Sequence, residues 1–210
     1  PSRVKIMTGR YNVRNYKHFG YLDPREITFA EVLKKAGYKT CVAGKWQLGK
    51  TIDGSGADIE NNTPYDLGFD TYCLRVGGAR SGYEDPEIQI DGKYHEKMKG
   101  KYGPDVFSEH ILKFIEKNRD RPFFVYYPMA LPHYPYVPTP DSEGWPENKG
   151  TKDVKYFADM VAYIDKIVGS INAKLQEVGV SDNTIVMFTT DNGTASKVTS
   201  LMKDGRKIQG

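Results

Sequence analysis

Apolar positions give the first assignments. From Val154 to Val178, the residues Val154, Phe157, Val161, Ile164, Ile167, Val168, Ile171, Leu175 and Val178 recur every three or four positions. That is the period of a helix with one buried face, and Gly179 marks its end. The same period over Val106, Ile111, Leu112, Phe114 and Ile115 predicts a helix from about Asp105 to Asn118. A shorter helix starts near Ile27, where Thr28 and Glu31 are spaced as a capping box, Phe29, Val32 and Leu33 share a face, and Gly37 stops it. Between the helices lie short apolar runs without that period, read as strands: Tyr38–Ala43, Pro122–Tyr127 and Asn183–Thr189, with a further one at Tyr72–Val76.

Helix and strand therefore alternate, and the strands are nearly continuous in apolar residues. This predicts an α/β fold with a mostly parallel sheet sandwiched by helices. Residues 50–101, rich in Gly, Asp, Asn and Lys with weak periodicity, are expected to form an insertion or irregular excursion. In such sheets ligands bind beyond the carboxyl ends of the strands, so the loops after the strands are where chemistry is expected.

Those loops carry distinctive side chains. The first holds Lys45, Trp46 and Gln47, the second runs Leu131-Pro132-His133-Tyr134-Pro135, and the third begins at Asp191-Asn192-Gly193. A cation, an imidazole and a carboxylate–amide pair fall on one rim. Asp191 and Asn192 offer oxygens to a hard metal, Lys45 suits an anion, and His133 suits acid–base work. Each also has a plainer reading: Asn192-Gly193 is a turn signal, His133 a packed loop histidine between prolines, and Lys45 a solvated lysine. Ser2 is placed to cap a helix beginning near Arg3, whose amide end and forked guanidinium favour an anion. Tyr83, Tyr94, Tyr134 and Tyr136 are candidates for stacking on a sugar, or for simple packing.

Composition narrows the partners. With 210 residues, 39% hydrophobic and 27% charged, the chain can bury a sizeable core, and Gly 21 with Pro 12 is too few for a low-complexity segment. A net charge of +3, spread along the sequence, points to neither nucleic acid nor an anionic membrane. The longest apolar runs, such as Phe123–Tyr127, fall far short of the roughly 20 residues a membrane span needs. Cys41 and Cys73 allow at most one internal disulfide and lack zinc-ligand spacing. The sequence opens on Pro1-Ser2-Arg3 without an initiator Met and is read as a fragment or a processed product.

Four separated motifs, in order, resemble the sulfatases of the alkaline phosphatase superfamily. Pro1-Ser2-Arg3 with Thr8-Gly9-Arg10 is similar to the tail of the first sulfatase signature, and Gly37–Thr40 with Gly44-Lys45-Trp46-Gln47-Leu48-Gly49 to the second. Pro122–Pro135 resembles the family's strand and histidine loop, and Asp182–Gly193 its metal strand. The resemblance covers nearly all 210 residues. It implies an incomplete alkaline-phosphatase-like catalytic domain that hydrolyses a sulfate monoester, from a small molecule or a glycan. It also implies roles: Arg3 orders the nucleophile, Lys45 binds sulfate together with Gln47, His133 protonates or contacts the leaving oxygen, and Asp191 with Asn192 binds Ca²⁺ in preference to Mg²⁺ or Mn²⁺.

The resemblance further places the nucleophile, a cysteine matured to formylglycine, two residues before Pro1, and an acidic pair for the metal further upstream. Gln47 stands where the second signature usually carries His, and Gln cannot carry a proton at neutral pH. Lys203 and Lys207 lie near, but do not match, the lysine expected after Asp-Asn-Gly. Two other functions remain: a phosphomonoesterase or phosphodiesterase of the same superfamily, and a relative that binds sulfated glycans without cleaving them. The family implies a periplasmic, secreted or lysosomal setting. The sequons Asn61-Asn62-Thr63 and Asn192-Gly193-Thr194 bear on it only in a eukaryotic source, and the second is expected to be unused if Asn192 holds a metal.

Overall fold

The computed structural model describes residues 2–49, 63–76, 83–145 and 147–210. Its centre is a five-stranded sheet: β1 (Lys39–Gly44), β2 (Thr71–Arg75), β3 (Ile88–Ile90), β4 (Lys93–His95) and β5 (Phe123–Tyr126), in spatial order β4-β3-β2-β1-β5. Three strands, β2, β1 and β5, run parallel, while β3 and β4 form an antiparallel edge. The sheet is thus mixed and only partly parallel, which corrects the expectation of a mostly parallel one. The described part of residues 50–101 holds the expected strand at Tyr72–Val76 as β2, and β3 and β4 besides.

The helices are α1 (Ser2–Thr8), α2 (Asn12–Asn15), α3 (Phe29–Lys35), α4 (Gly103–Asn118) and α5 (Tyr156–Glu177). Alternation along the strands explains the layering. Val42, Tyr72 and Leu74 face a core with Val4, Met7 and Ala30 of α1 and α3, while Ala43 and Cys73 face Phe107, Ile111 and Ile115 of α4 and Leu175 of α5. Both faces are buried, so the central strands read as unbroken apolar runs rather than as alternating ones. A third cluster packs Leu131, Tyr136 and Val137, from the loop after β5, on Met160, Tyr163 and Ile167 of α5. No helix among the described residues is long and apolar enough to cross a membrane.

The capping box forms as expected. Thr28 Oγ1 accepts from the Glu31 amide at 3.2 Å, and Glu31 Oε2 accepts from the Thr28 amide at 2.9 Å. The same Thr28 hydroxyl donates to the Leu67 carbonyl at 2.8 Å, tying α3 to the turn that leads into β2. Thr28→Ala removes the cap and orphans a buried carbonyl, so urea denaturation is expected to show a loss of about 1–3 kcal/mol. A loss below about 0.5 kcal/mol would show that water replaces both bonds.

One expected strand is absent. Residues 184–190 carry no regular secondary structure after a short 3₁₀ turn at Ser181–Asn183, and no strand is paired to them among the described residues. Ile185 and Met187 are 86% and 83% exposed. An apolar run states that a segment can be a strand, but a strand also needs a neighbour to close its hydrogen bonds. The chain ends in a two-stranded hairpin, β6 (Thr199–Leu201) with β7 (Lys207–Gln209), whose residues are exposed. Cys41 and Cys73 are free and buried on neighbouring strands, and burial raises both thiol pKa values, that of Cys73 to about 12. The sequon asparagines Asn61 and Asn62 lie outside the described residues.

Candidate active site

The parallel strands β1, β2 and β5 end on the same rim, and the first site residues come from there. Gly44 is level with Leu74, so Lys45 and Arg75 leave their strands side by side. The loop after β1 also meets the loop after β5: the Lys45 amide donates to the Pro128 carbonyl at 2.7 Å. A Cβ added at Gly44, where φ is +119°, would lie 2.4 Å from that same oxygen. Glycine permits both the left-handed backbone and the close approach.

Arg3 reaches the rim from α1. Its Nε donates to the Trp46 carbonyl at 2.7 Å and its Nη2 to Gln47 Oε1 at 2.8 Å, so two hydrogen bonds fix the plane of the guanidinium. Gln47 therefore holds Arg3 through its oxygen and keeps its amide N–H groups as donors. It does so at φ +53°, a conformation glutamine rarely adopts and one typical of functional loops. Helix α1 is only seven residues long, so the anion-attracting group here is the guanidinium rather than the helix end.

The cations crowd each other. Burial first, then the like charges of Arg3 and Arg75, lower the Lys45 pKa to about 8, while Asp191 pulls it back up. Burial also lowers Arg3 and Arg75, which stay protonated as guanidinium groups do, and Asp191 again favours the charged Arg3. Tyr126, at the end of β5, is pushed up to about 12 mainly by burial; Arg3 opposes that rise and Asp191 adds to it. Arg3 thus lies within electrostatic reach of Lys45, Asp191 and Tyr126, and Lys45 of Asp191 and Arg75.

His133 sits exposed on the loop after β5, with cis peptide bonds before Pro132 and Pro135. Its Nδ1 is 2.7 Å from the Tyr134 carbonyl. A carbonyl only accepts, so Nδ1 carries the proton and Nε2 is left for a partner. Asp191 and Asn192 are exposed, and the Asn192 amide donates to the Gly193 carbonyl at 3.0 Å, leaving its oxygen available. These two residues present hard oxygen donors. No group of three His, Cys, Asp or Glu side chains among the described residues is arranged to hold a metal.

Sequence reading missed Arg75 and Tyr126. Arg75 becomes a neighbour of Lys45 only through strand register, and Tyr126 reads as one more apolar strand residue. Of the four tyrosines considered for sugar stacking, Tyr83 and Tyr136 are buried, and Tyr94 lies on β4 bonded to Glu87. Tyr134, 59% exposed beside His133, is the one presented on the rim.

The sulfatase family model matches residues 1–207. Human N-acetylgalactosamine-6-sulfatase is 31% identical over 93% of the chain, which spans 41% of that protein. A crystal structure of Ps i-CgsB in complex with k-i-k-neocarrahexaose superposes with a TM-score of 0.70 at 26% identity, covering 87% of this chain and 45% of that one. A structure of BT4656 in complex with its substrate D-glucosamine-2-N,6-O-disulfate gives a TM-score of 0.52 at 29% identity, covering 67% of this chain and 26% of that one. The chain spans less than half the length of the curated relatives it matches.

Proposed function

The chain belongs to the sulfatase family, and we propose that the full-length protein is a sulfuric ester hydrolase acting on a sulfated sugar. The observation that carries this reading is the convergence of Arg3 and Lys45 on one rim with Asp191 within reach. Gathering like charges in a half-buried place is unfavourable unless an anion is to be held there. Two relatives support the sugar: one is named for N-acetylgalactosamine-6-sulfate chemistry, and one was solved with a sulfated glucosamine as its substrate.

Cleaving a sulfate ester moves negative charge onto the sulfuryl oxygens and the leaving oxygen. Lys45 and the Arg3 guanidinium, held in plane by Trp46 and Gln47, meet the first of these as preplaced positive charge. His133, in its protonated form, gives the Nε2 proton to the leaving oxygen. Tyr134 offers a ring face to the sugar next to it. The nucleophile is a formylglycine supplied from upstream of Pro1. Calcium would be held by Asp191 and Asn192, with its other ligands outside the described residues, and would supply a Lewis acid to the sulfate oxygens. The action takes place in the periplasm, outside the cell or in a lysosome.

The test is hydrolysis of 4-nitrophenyl sulfate and of a sugar 6-sulfate by the full-length protein, with and without a chelator. Turnover is expected to stop on calcium removal and return on re-addition, and Asp191→Ala is expected to cost at least about 100-fold in kcat/KM. Full activity in that variant would sink the metal assignment. Turnover of phosphate esters in place of sulfate esters would sink the reaction class.

A further inference from the structure

Tyr83 was a candidate for sugar contact, yet it is 6% exposed and its hydroxyl is committed elsewhere. That hydroxyl lies 2.9 Å from the Ala130 carbonyl and 2.7 Å from the His133 carbonyl, donating its one proton between them. The Ala130 carbonyl also accepts from the His133 amide at 3.1 Å, closing the turn that carries the imidazole. Tyr83 therefore grips both ends of that turn.

The grip is itself anchored. The Tyr83 carbonyl accepts from the Gly103 amide at 2.7 Å, at the start of α4. The Arg75 guanidinium carbon stands 5.9 Å from the Tyr83 ring centre, and the Tyr102 ring packs 6.2 Å from it. One residue thus links the end of β2 beside Lys45, the start of α4 and the His133 turn. The imidazole makes its own ring hydrogen bond to the next carbonyl, Tyr134. Its Nε2 is consequently aimed by the turn backbone, and the turn backbone is held by Tyr83.

We propose that Tyr83 is a positioning residue, which sets the direction of the His133 Nε2 proton through the Ala130 and His133 carbonyls. The inference rests on the reading of His133 as proton donor to the leaving oxygen. Misplacing a reacting group by about 1 Å can cost 100-fold. The loss should appear only where a proton is needed: a sugar alkoxide leaves with one, while 4-nitrophenolate leaves without.

The experiment compares both leaving groups in the full-length protein. Tyr83→Phe is expected to lower kcat for a sugar 6-sulfate by about 10–100-fold with KM changed less than about threefold, and kcat for 4-nitrophenyl sulfate by less than about threefold. Equal losses on both substrates, the pattern of a merely loosened fold, overturn the inference, as does no loss on either. Replacing Tyr83 by 4-aminophenylalanine puts a weaker donor on the same ring and is expected to fall between wild type and Tyr83→Phe, on the sugar sulfate alone. That variant serves if Tyr83→Phe does not fold, and a loss independent of leaving group there counts equally against the proposal. His133→Ala separates the two claims. Leaving-group dependence there but not at Tyr83 defeats the positioning role alone, and its absence in His133→Ala defeats the proton-donor reading beneath it.

Discussion

Lys45→Ala is expected to lower kcat/KM for a sulfate ester by about 100–1,000-fold in the full-length protein, the cost of removing one preplaced partner of developing charge. Steady-state kinetics on a sugar 6-sulfate measures it, and a change under about threefold would remove Lys45 from the site. The reason lies in the strand ends: β1 delivers Lys45 to the rim, and Arg3 and Arg75 stand near enough to disfavour its charge. On the proposed reading, an arriving sulfate would relieve that repulsion, so binding energy would be gained where charge develops.

The same crowding fixes a pH dependence. An amine is cationic below its pKa, and burial and like charge bring that of Lys45 down from 10.5 to about 8. Wild-type affinity for a sulfate ester is expected to fall as pH rises through about 8, as an ordinary exposed lysine would not make it do. Stability carries the opposite sign. Between about 8 and 10.5 the unfolded chain holds a proton that the folded chain has shed, so this residue's contribution rises with pH across that window.

Gly44→Ala is expected to cost about 2–4 kcal/mol, read from the urea midpoint, because the new methyl meets the Pro128 carbonyl and the backbone is left-handed there. Relief means separating the loop after β1 from the loop after β5, which breaks the bond from the Lys45 amide to that carbonyl. Activity should therefore fall further than stability explains at temperatures where the variant remains folded. An unchanged midpoint would show that the loops part freely.

What could be read ahead of the structure was what neighbours in sequence decide. Helices α3, α4 and α5 follow from local periodicity and from the Thr28–Glu31 box, and β1 and β5 from their apolar runs. The β3–β4 hairpin was missed because each strand has three residues, too few for a pattern. A signal was present in Asp91-Gly92, whose φ values of +46° and +84° are those of a tight hairpin turn. Residues 184–190 failed the other way: the apolar pattern was clear, but pairing depends on a partner strand. In the candidate site, Lys45, Gln47 and His133 lie in loops after recognisable strands, and Asp191 follows the apolar run that reads as one. Arg75, Tyr83 and Tyr126 join them through register and packing across thirty or more residues of sequence, which no local pattern encodes.

The two thiols carry a last consequence. Cys73 is level with Ala43 and Cys41 with Thr71, so the sulfurs belong to neighbouring strands but not to paired positions. Both residues are fully enclosed, and burial suppresses the thiolate through which any exchange or oxidation must begin. This part of the fold needs no cross-link to form and offers none to be reduced. It is therefore indifferent to the glutathione poise of its surroundings, and passage from a reducing cytosol to an oxidising exterior would leave these strands as they were.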